Sequence, residues 1–279
     1  MQRTSIFFLL SILFLACNKE EAPIDPENKQ KTCKVTTAES NFNNGYILGS
    51  AKVFYDQNNN IAKVESNQDT SFMSFSVVYA SDKIVLKTKY QGDWTYVLDD
   101  KKRVVKASLY TRLVPSGTQN FEFTYNSSGS LSRAVVNDSY SGPIAYTFNY
   151  LDGNLSNVTG VNSYYNTEIS ISYKYDLTKK ATELNSHLDP LFEIGLHQVL
   201  PGFFGKTSEN RLMEVNKLST NMTYKFGDRE LKTYEYASNA DGNITDVNIN
   251  TIRSGFSAGV AEYINSRSKQ NYTFGYQCD

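Results

Sequence analysis

Residues 33–279 read as one all-β domain: a large antiparallel meander, a strongly curved sheet or open barrel, with one short helical insertion. Three observations point that way. Large side chains recur at i, i+2 and i+4 ahead of polar turns along most of the segment. Twenty Tyr and sixteen Phe stand beside one Trp and four Met, and aromatic side chains favour half-buried strands. Two cysteines, Cys33 and Cys278, mark the two ends of the segment.

The repeated unit is a hairpin. Val53 and Tyr55 lead into Asp56 and then Ile61; Phe75, Val77 and Tyr79 lead into Ser81-Asp82 and Ile84; Trp94, Tyr96 and Leu98 lead into Asp99-Asp100 and Val104. Phe121, Phe123 and Tyr125 precede Asn126-Ser127-Ser128-Gly129 and Leu131. Tyr146, Phe148 and Tyr150 precede Asp152-Gly153-Asn154 and Leu155. Ile171, Tyr173 and Tyr175 precede Asp176 and Thr178-Lys179-Lys180, and these three units sit 25 residues apart. Met222, Tyr224 and Phe226 then turn at Gly227-Asp228, and Tyr234 and Tyr236 turn at Asp241-Gly242-Asn243 before Ile244. Alternation places each aromatic set on one sheet face. Asp-Gly and Ser-Gly steps supply the positive φ of tight turns.

Single hairpins bury too little to stand alone, so neighbours must stack. At ordinary strand lengths the segment holds about 12–16 strands, enough to curl. After the turn the aliphatics often stand three apart, as in Ile61/Val64, Val104/Ala107, Leu131/Ala134 and Leu155/Val158. Strict alternation would send such pairs to opposite faces, so either both faces are covered there or a bulge intervenes.

One stretch breaks the pattern. Leu188, Leu191, Phe192, Leu196, Val199 and Leu200 follow helical spacing, Asp189-Pro190 suits a helix start, and Pro201-Gly202 stops it. A short amphipathic helix near 188–200, lying on the sheet or plugging one end, is expected.

The N-terminus gives an address. Arg3 precedes an apolar run from Ile6 to Leu15, and Ala16-Cys17 follows. The run is shorter than the roughly 20 residues of a spanning helix and has the order of a signal peptide. Residues 1–16 therefore read as signal, 17–32 as a tether containing Pro23 and Pro26, and 33–279 as the folded domain. Leu13-Phe14-Leu15-Ala16-Cys17 resembles a bacterial lipobox, which implies lipidation of Cys17 and a membrane partner through the lipid alone. Lys19, Glu20 and Glu21 resemble the surface-export signal of Bacteroidota lipoproteins, which implies an outer-membrane protein facing outward. Cys33 and Cys278 are then left as a pair; outside the cytoplasm they read as a disulfide, with two free thiols as the other reading.

Tyr125-Asn126-Ser127-Ser128-Gly129-Ser130-Leu131 and Tyr55-Asp56-Gln57-Asn58-Asn59-Asn60-Ile61 resemble the Tyr-Asp (YD) repeats of Rhs-type and teneurin-type shell proteins. With the lipobox, the acidic start and the tyrosine-rich hairpins, most of residues 33–279 resembles an uncharacterised Bacteroidota lipoprotein family with a porin-like fold. That resemblance implies fold and address and brings no activity with it.

Chemistry is sparse. Without residues 1–16 the chain is one unit more negative than its full-length net charge of −1, no footprint for nucleic acid. His187 and His197 have no metal-ligand spacing, and neither G-x-S-x-G nor H-E-x-x-H occurs; no cofactor and no metal is expected. Trp94, Tyr110, Tyr140, Tyr164 and Tyr165 are the candidate ligand contacts, as flat amphipathic side chains suited to sugar rings, with packing the alternative use of each. The reading is a non-catalytic binding module for a glycan, a peptide or an envelope partner. A carboxylate-dependent surface hydrolase and a structural envelope protein are the alternatives. A membrane-spanning barrel is not expected, because a lipid anchor would be redundant and the aromatic face has polar, short-looped hairpins on both sides.

Overall fold

The computed structural model describes residues 33–42, 47–67, 74–88, 92–111, 117–138, 142–181, 202–257 and 260–278. They form sixteen antiparallel strands: β1 (Cys33–Phe42), β2 (Ile47–Tyr55), β3 (Ile61–Ser66), β4 (Phe75–Tyr79), β5 (Lys83–Thr88), β6 (Asp93–Leu98), β7 (Val104–Thr111), β8 (Gly117–Tyr125), β9 (Leu131–Asp138), β10 (Gly142–Leu151), β11 (Asn154–Asn162), β12 (Thr167–Lys180), β13 (Asn210–Asn221), β14 (Gly227–Ser238), β15 (Ile244–Ser257) and β16 (Val260–Cys278). Each strand pairs with its sequence neighbours, and β1 pairs with β16 from Cys33↔Cys278 to Phe42↔Gln270. The barrel is closed, not open. Strand twist accumulates across so many strands until the two edges meet, and closure removes both unpaired edges. The Cys33–Cys278 disulfide ties the pair at which the sheet closes.

The turns after β2, β4, β6, β8, β10 and β14 gather at one end, termed the base, where β1 begins and β16 finishes. The turns after β11 and β13 lie at the other end, the rim. The expected helix at 188–200 lies outside the described residues, and no helix occurs among those described. The segment that follows it, 202–209, crosses the base. Val104 N–H donates to the Phe203 carbonyl at 2.7 Å, Lys206 N–H to that of Gly129 at 3.1 Å, and Glu209 N–H to that of Gly153 at 3.2 Å. Phe204 seals the interior there, edge-on to Phe123 at 5.3 Å and to Tyr96 at 6.1 Å.

The aromatic-aliphatic faces of the strands turn inward, that of Met222, Tyr224 and Phe226 excepted. Ile84, Leu86, Trp94, Tyr96, Phe121 and Ile171 are essentially inaccessible to water. The outer face is polar on β8 and β10, where Thr118, Asn120, Glu122, Thr124, Thr147 and Asn149 are exposed, whereas Phe54, Val78, Val97 and Val161 are exposed apolar side chains on other strands. Cross-strand polar pairs lace this outer wall. Lys174 meets Glu214 at 2.8 Å, Asn149 meets Asn157 at 2.8 Å, and Asn271 meets Asn248 at 2.8 Å. A barrel embedded in lipid has the opposite arrangement, an apolar band outside, and a Lys or Arg there costs about 2–4 kcal/mol at mid-membrane. Lys106, Arg133 and Lys174 are exposed on the outer wall of this barrel, around an apolar core.

The three-residue aliphatic spacing resolves as a bulge. Pairing slips between Val97 and Leu98 opposite Val104, between Thr124 and Tyr125 opposite Leu131, and between Phe54 and Tyr55 opposite Ile61. The extra residue lets both aliphatics face the core. The same return residues receive the tyrosines that close the next hairpin. Tyr79 Oη donates to the Ile61 carbonyl at 3.0 Å, Tyr125 Oη to that of Val104 at 2.6 Å, Tyr236 Oη to that of Leu212 at 2.6 Å, and Tyr276 Oη to that of Ile244 at 2.6 Å. Tyr55 Oη caps the Val35 carbonyl at the closure seam in the same way, at 2.9 Å. Tyrosine ends these strands because one side chain fills the core and satisfies a carbonyl left over near the bulge.

Candidate functional site

Aromatic side chains that no core demands are found at the rim. The turn between β11 and β12 is braced by Asn162, whose Oδ1 accepts from the backbone N–H of both Tyr164 and Tyr165 at 3.0 Å. The turn between β13 and β14 repeats the device: Asn221 Oδ1 accepts from Thr223 N–H at 3.1 Å and Tyr224 N–H at 2.9 Å. Each turn then passes through a positive-φ residue, Asn166 at 48° and Lys225 at 56°. Short polar side chains that mimic a backbone turn make such loops rigid.

The two turns are also tied to each other. Met222 N–H donates to the Asn166 carbonyl at 2.8 Å, Asn221 Nδ2 donates to that of Tyr165 at 3.1 Å, and Asn166 Nδ2 bonds Thr223 Oγ1. The braced pair presents Tyr164 (71% exposed), Tyr165 (53%), Tyr224 (70%) and Phe226 (50%). Tyr164 and Tyr165 meet edge to face at 4.9 Å, and Tyr224 and Phe226 stack at 6.2 Å. Tyr164 also packs across the start of β10, where a Cβ on Gly142 would lie 3.2 Å from its own Cβ. The result, termed the platform, is two pairs of exposed rings on turns bonded to each other.

Behind this rim, the inner wall of β13–β15 departs from the apolar rule. Cross-strand register puts Lys217, Glu230, Lys232 and Arg253 on the inward face that continues Val215, Tyr234 and Ile249. Glu230 holds Lys232 at 2.9 Å and also binds Arg253 Nε. Burial alone would raise the Glu230 carboxyl, but hydrogen bonds and charge from Lys232 and Arg253 win and hold it below its ordinary value. One carboxylate thus pairs with two cations, and with Lys217 the four side chains keep a formal charge of +2 on this wall. No group of His, Cys, Asp and Glu able to hold a metal occurs among the described residues.

The candidate residues therefore separate. Tyr164 and Tyr165 stand together on the platform, whereas Tyr110 is exposed on the outer wall of β7. Trp94 is 2% exposed and packs inside against Tyr96 and Phe121, with no acceptor for its Nε1–H among the described residues. The structure thus makes Trp94 a core residue, since alternation along β6 carries it inward with Tyr96 and Leu98. Tyr140, Cys17, Lys19, Glu20 and Glu21 lie outside the described residues. Tyr224 and Phe226 join the site although their spacing reads as a strand. Residues 222–226 are instead a turn, and its signal is the shared pattern Asn-x-x-Tyr: Asn162 to Tyr165 and Asn221 to Tyr224.

No protein-family model matches this chain, and no curated protein sequence matches it. Solved structures do. A porin-like protein from Bacteroides uniformis superposes with a TM-score of 0.57 at 11% identity, covering 87% of this chain and 98% of its own. A porin-like protein from Bacteroides vulgatus gives 0.56 at 10% identity, with the same 87% and 98% coverage. At that identity the likeness is one of fold: a closed antiparallel barrel.

Proposed function

We propose that this chain is an outer-membrane lipoprotein, lipidated at Cys17 and facing outward, whose barrel stands in water and binds a glycan without catalysis through its aromatic rim. The braced platform of Tyr164, Tyr165, Tyr224 and Phe226 carries the reading. Exposed rings held on rigid turns lose little conformational freedom on binding, and their flat faces with polar edges suit sugar rings. The polar outer wall supports anchoring by lipid rather than by the barrel, and two acyl chains suffice for that. The apparent export signal Lys19-Glu20-Glu21 supports the outward face.

The test is a glycan array probed with wild type and with Tyr165→Ala/Tyr224→Ala, beside fractionation of cells expressing Cys17→Ser. Expected are glycan binding lost in the double variant, and a Cys17→Ser protein released from the envelope. Glycan binding that survives the double variant, or no glycan bound at all, would overturn the rim assignment. Retention of Cys17→Ser in the envelope would overturn the anchor.

A further inference from the structure

The base carries a second site, remote from the rim. A cavity of about 430 Å³ opens there, lined by Lys101 and Arg103 of the β6–β7 turn, Tyr125 and the Asn126–Gly129 turn after β8, and Gly205 and Lys206 of the crossing segment. Three separate pieces of chain converge to build it. Two positive-φ glycines permit the convergence: Gly205 at 79° comes so near the other turn that a Cβ would fall 2.3 Å from the Gly129 carbonyl. The Lys206 stem lies over Gly129.

The charges in this cavity are unbalanced. Arg103 is fixed, stacked on the Tyr125 ring at 4.2 Å and donating from Nε and Nη2 to a single oxygen of Asp99 at 2.9 and 2.7 Å. Asp99 thus answers one cation. The ammonium groups of Lys101 and Lys206 have no partner among the described residues. The Ser127 and Ser128 amides, on the turn lining the cavity, donate to no group among the described residues. An oriented guanidinium, two free ammoniums and spare backbone N–H groups around one concavity make a cradle for a tetrahedral oxyanion.

We propose that this basal cavity binds a phosphate group, with Lys101 and Lys206 as its charge partners, Arg103 as the fixed wall and the Ser127–Ser128 backbone as donor. The chemistry fits inorganic phosphate and the phosphate of a lipid headgroup alike. The second source has geometry on its side, because β1 begins at the base and the tether carrying Cys17 therefore joins the barrel there. The proposal does not depend on the glycan reading of the rim.

The test uses residues 17–279 with Cys17→Ser, at constant ionic strength so that general screening is held fixed. Inorganic phosphate is titrated calorimetrically against chloride, and flotation is measured with phosphatidylglycerol and with phosphatidylcholine vesicles. Expected is phosphate-selective binding weakened about fivefold by Lys206→Ala and again by Lys101→Ala, the scale of one exposed ion pair each. Flotation with phosphatidylglycerol alone, lost in both variants, would assign the headgroup; phosphate binding without flotation would assign the free anion. Both support the site. Lys206→Glu, which keeps the Gly129 backbone bond, guards against a folding artefact and must abolish binding at unchanged melting temperature. No binding in either arm, or binding indifferent to Lys101 and Lys206, would overturn it.

Discussion

Tyr125→Phe isolates a single hydroxyl. The ring, its place in the core and the Arg103 stack at 4.2 Å all persist; only the 2.6 Å bond to the Val104 carbonyl is lost. Val104 is 1% exposed, so water does not take over as donor, and a buried acceptor left unmade costs about 1–3 kcal/mol. In a domain of this size each kcal/mol moves the melting temperature by about 2–4 °C, so a loss near the middle of that range is about 6 °C. Tyr236→Phe poses the same question on β14, where the Leu212 carbonyl loses its donor and Arg211 keeps its ring at 5.2 Å. Tyr164→Phe, on an exposed ring, is the control and should stay within about 0.5 kcal/mol of wild type. Urea melts should show lower midpoints for Tyr125→Phe and Tyr236→Phe at unchanged slope. The pair, on distant strands, should combine additively within about 0.5 kcal/mol. If both variants melt with the Tyr164→Phe control, the hydroxyls do not hold the hairpins together, and the reason offered here for the tyrosine repeat is wrong.

Alkaline unfolding should be steep. Burial pushes Tyr79, Tyr146, Tyr272 and Tyr276 from 10.0 up to about 12, and Tyr96, Tyr125 and Tyr236 higher still. A raised folded-state value means that stability is intact below pH 10 and is lost as pH climbs from there toward 12, because the unfolded chain releases its protons first. Tyrosinate absorbance should rise together with loss of β circular dichroism; tyrosines titrating near 10 in a still-folded barrel would contradict their burial. Gly205→Ala forces an L side chain to a φ of 79° and drives its Cβ to 2.3 Å from the Gly129 carbonyl. It should cost at least about 1–2 kcal/mol from the backbone alone and detach the basal segment, read as faster hydrogen exchange at Val104 N–H. An unchanged melting temperature and unchanged exchange would show that this crossing does not seal the base.

The hairpins were legible because their signals are local. Period-2 aromatics before an Asp or Asn turn fix where β2, β4, β6, β8 and β10 end, and the three-residue aliphatic spacing after four of the turns left a bulge as one of two readings. Closure was not legible, since it depends on whether twist summed over sixteen strands brings β1 to β16 in register. The matched cysteines were the one long-range hint. At the rim the failure was one of scale. Met222, Tyr224 and Phe226 carry the alternation of a strand, but Asn221 captures the next two free N–H groups and turns the chain before that alternation can pair. Trp94 shows the opposite case: its alternation with Tyr96 and Leu98 already said inward, and the chemistry of a lone tryptophan pulled the reading outward.

The shared location of the two chain ends has a practical corollary for anyone labelling this protein. Because Cys278 is bonded to Cys33, an epitope or fluorophore fused after Asp279 starts from the base, at the opposite end of the barrel from the paired aromatic turns. Antibody access to such a tag reports on the base. Exposure of the far pole has to be read from a label placed in one of the turns themselves, such as at Ser163.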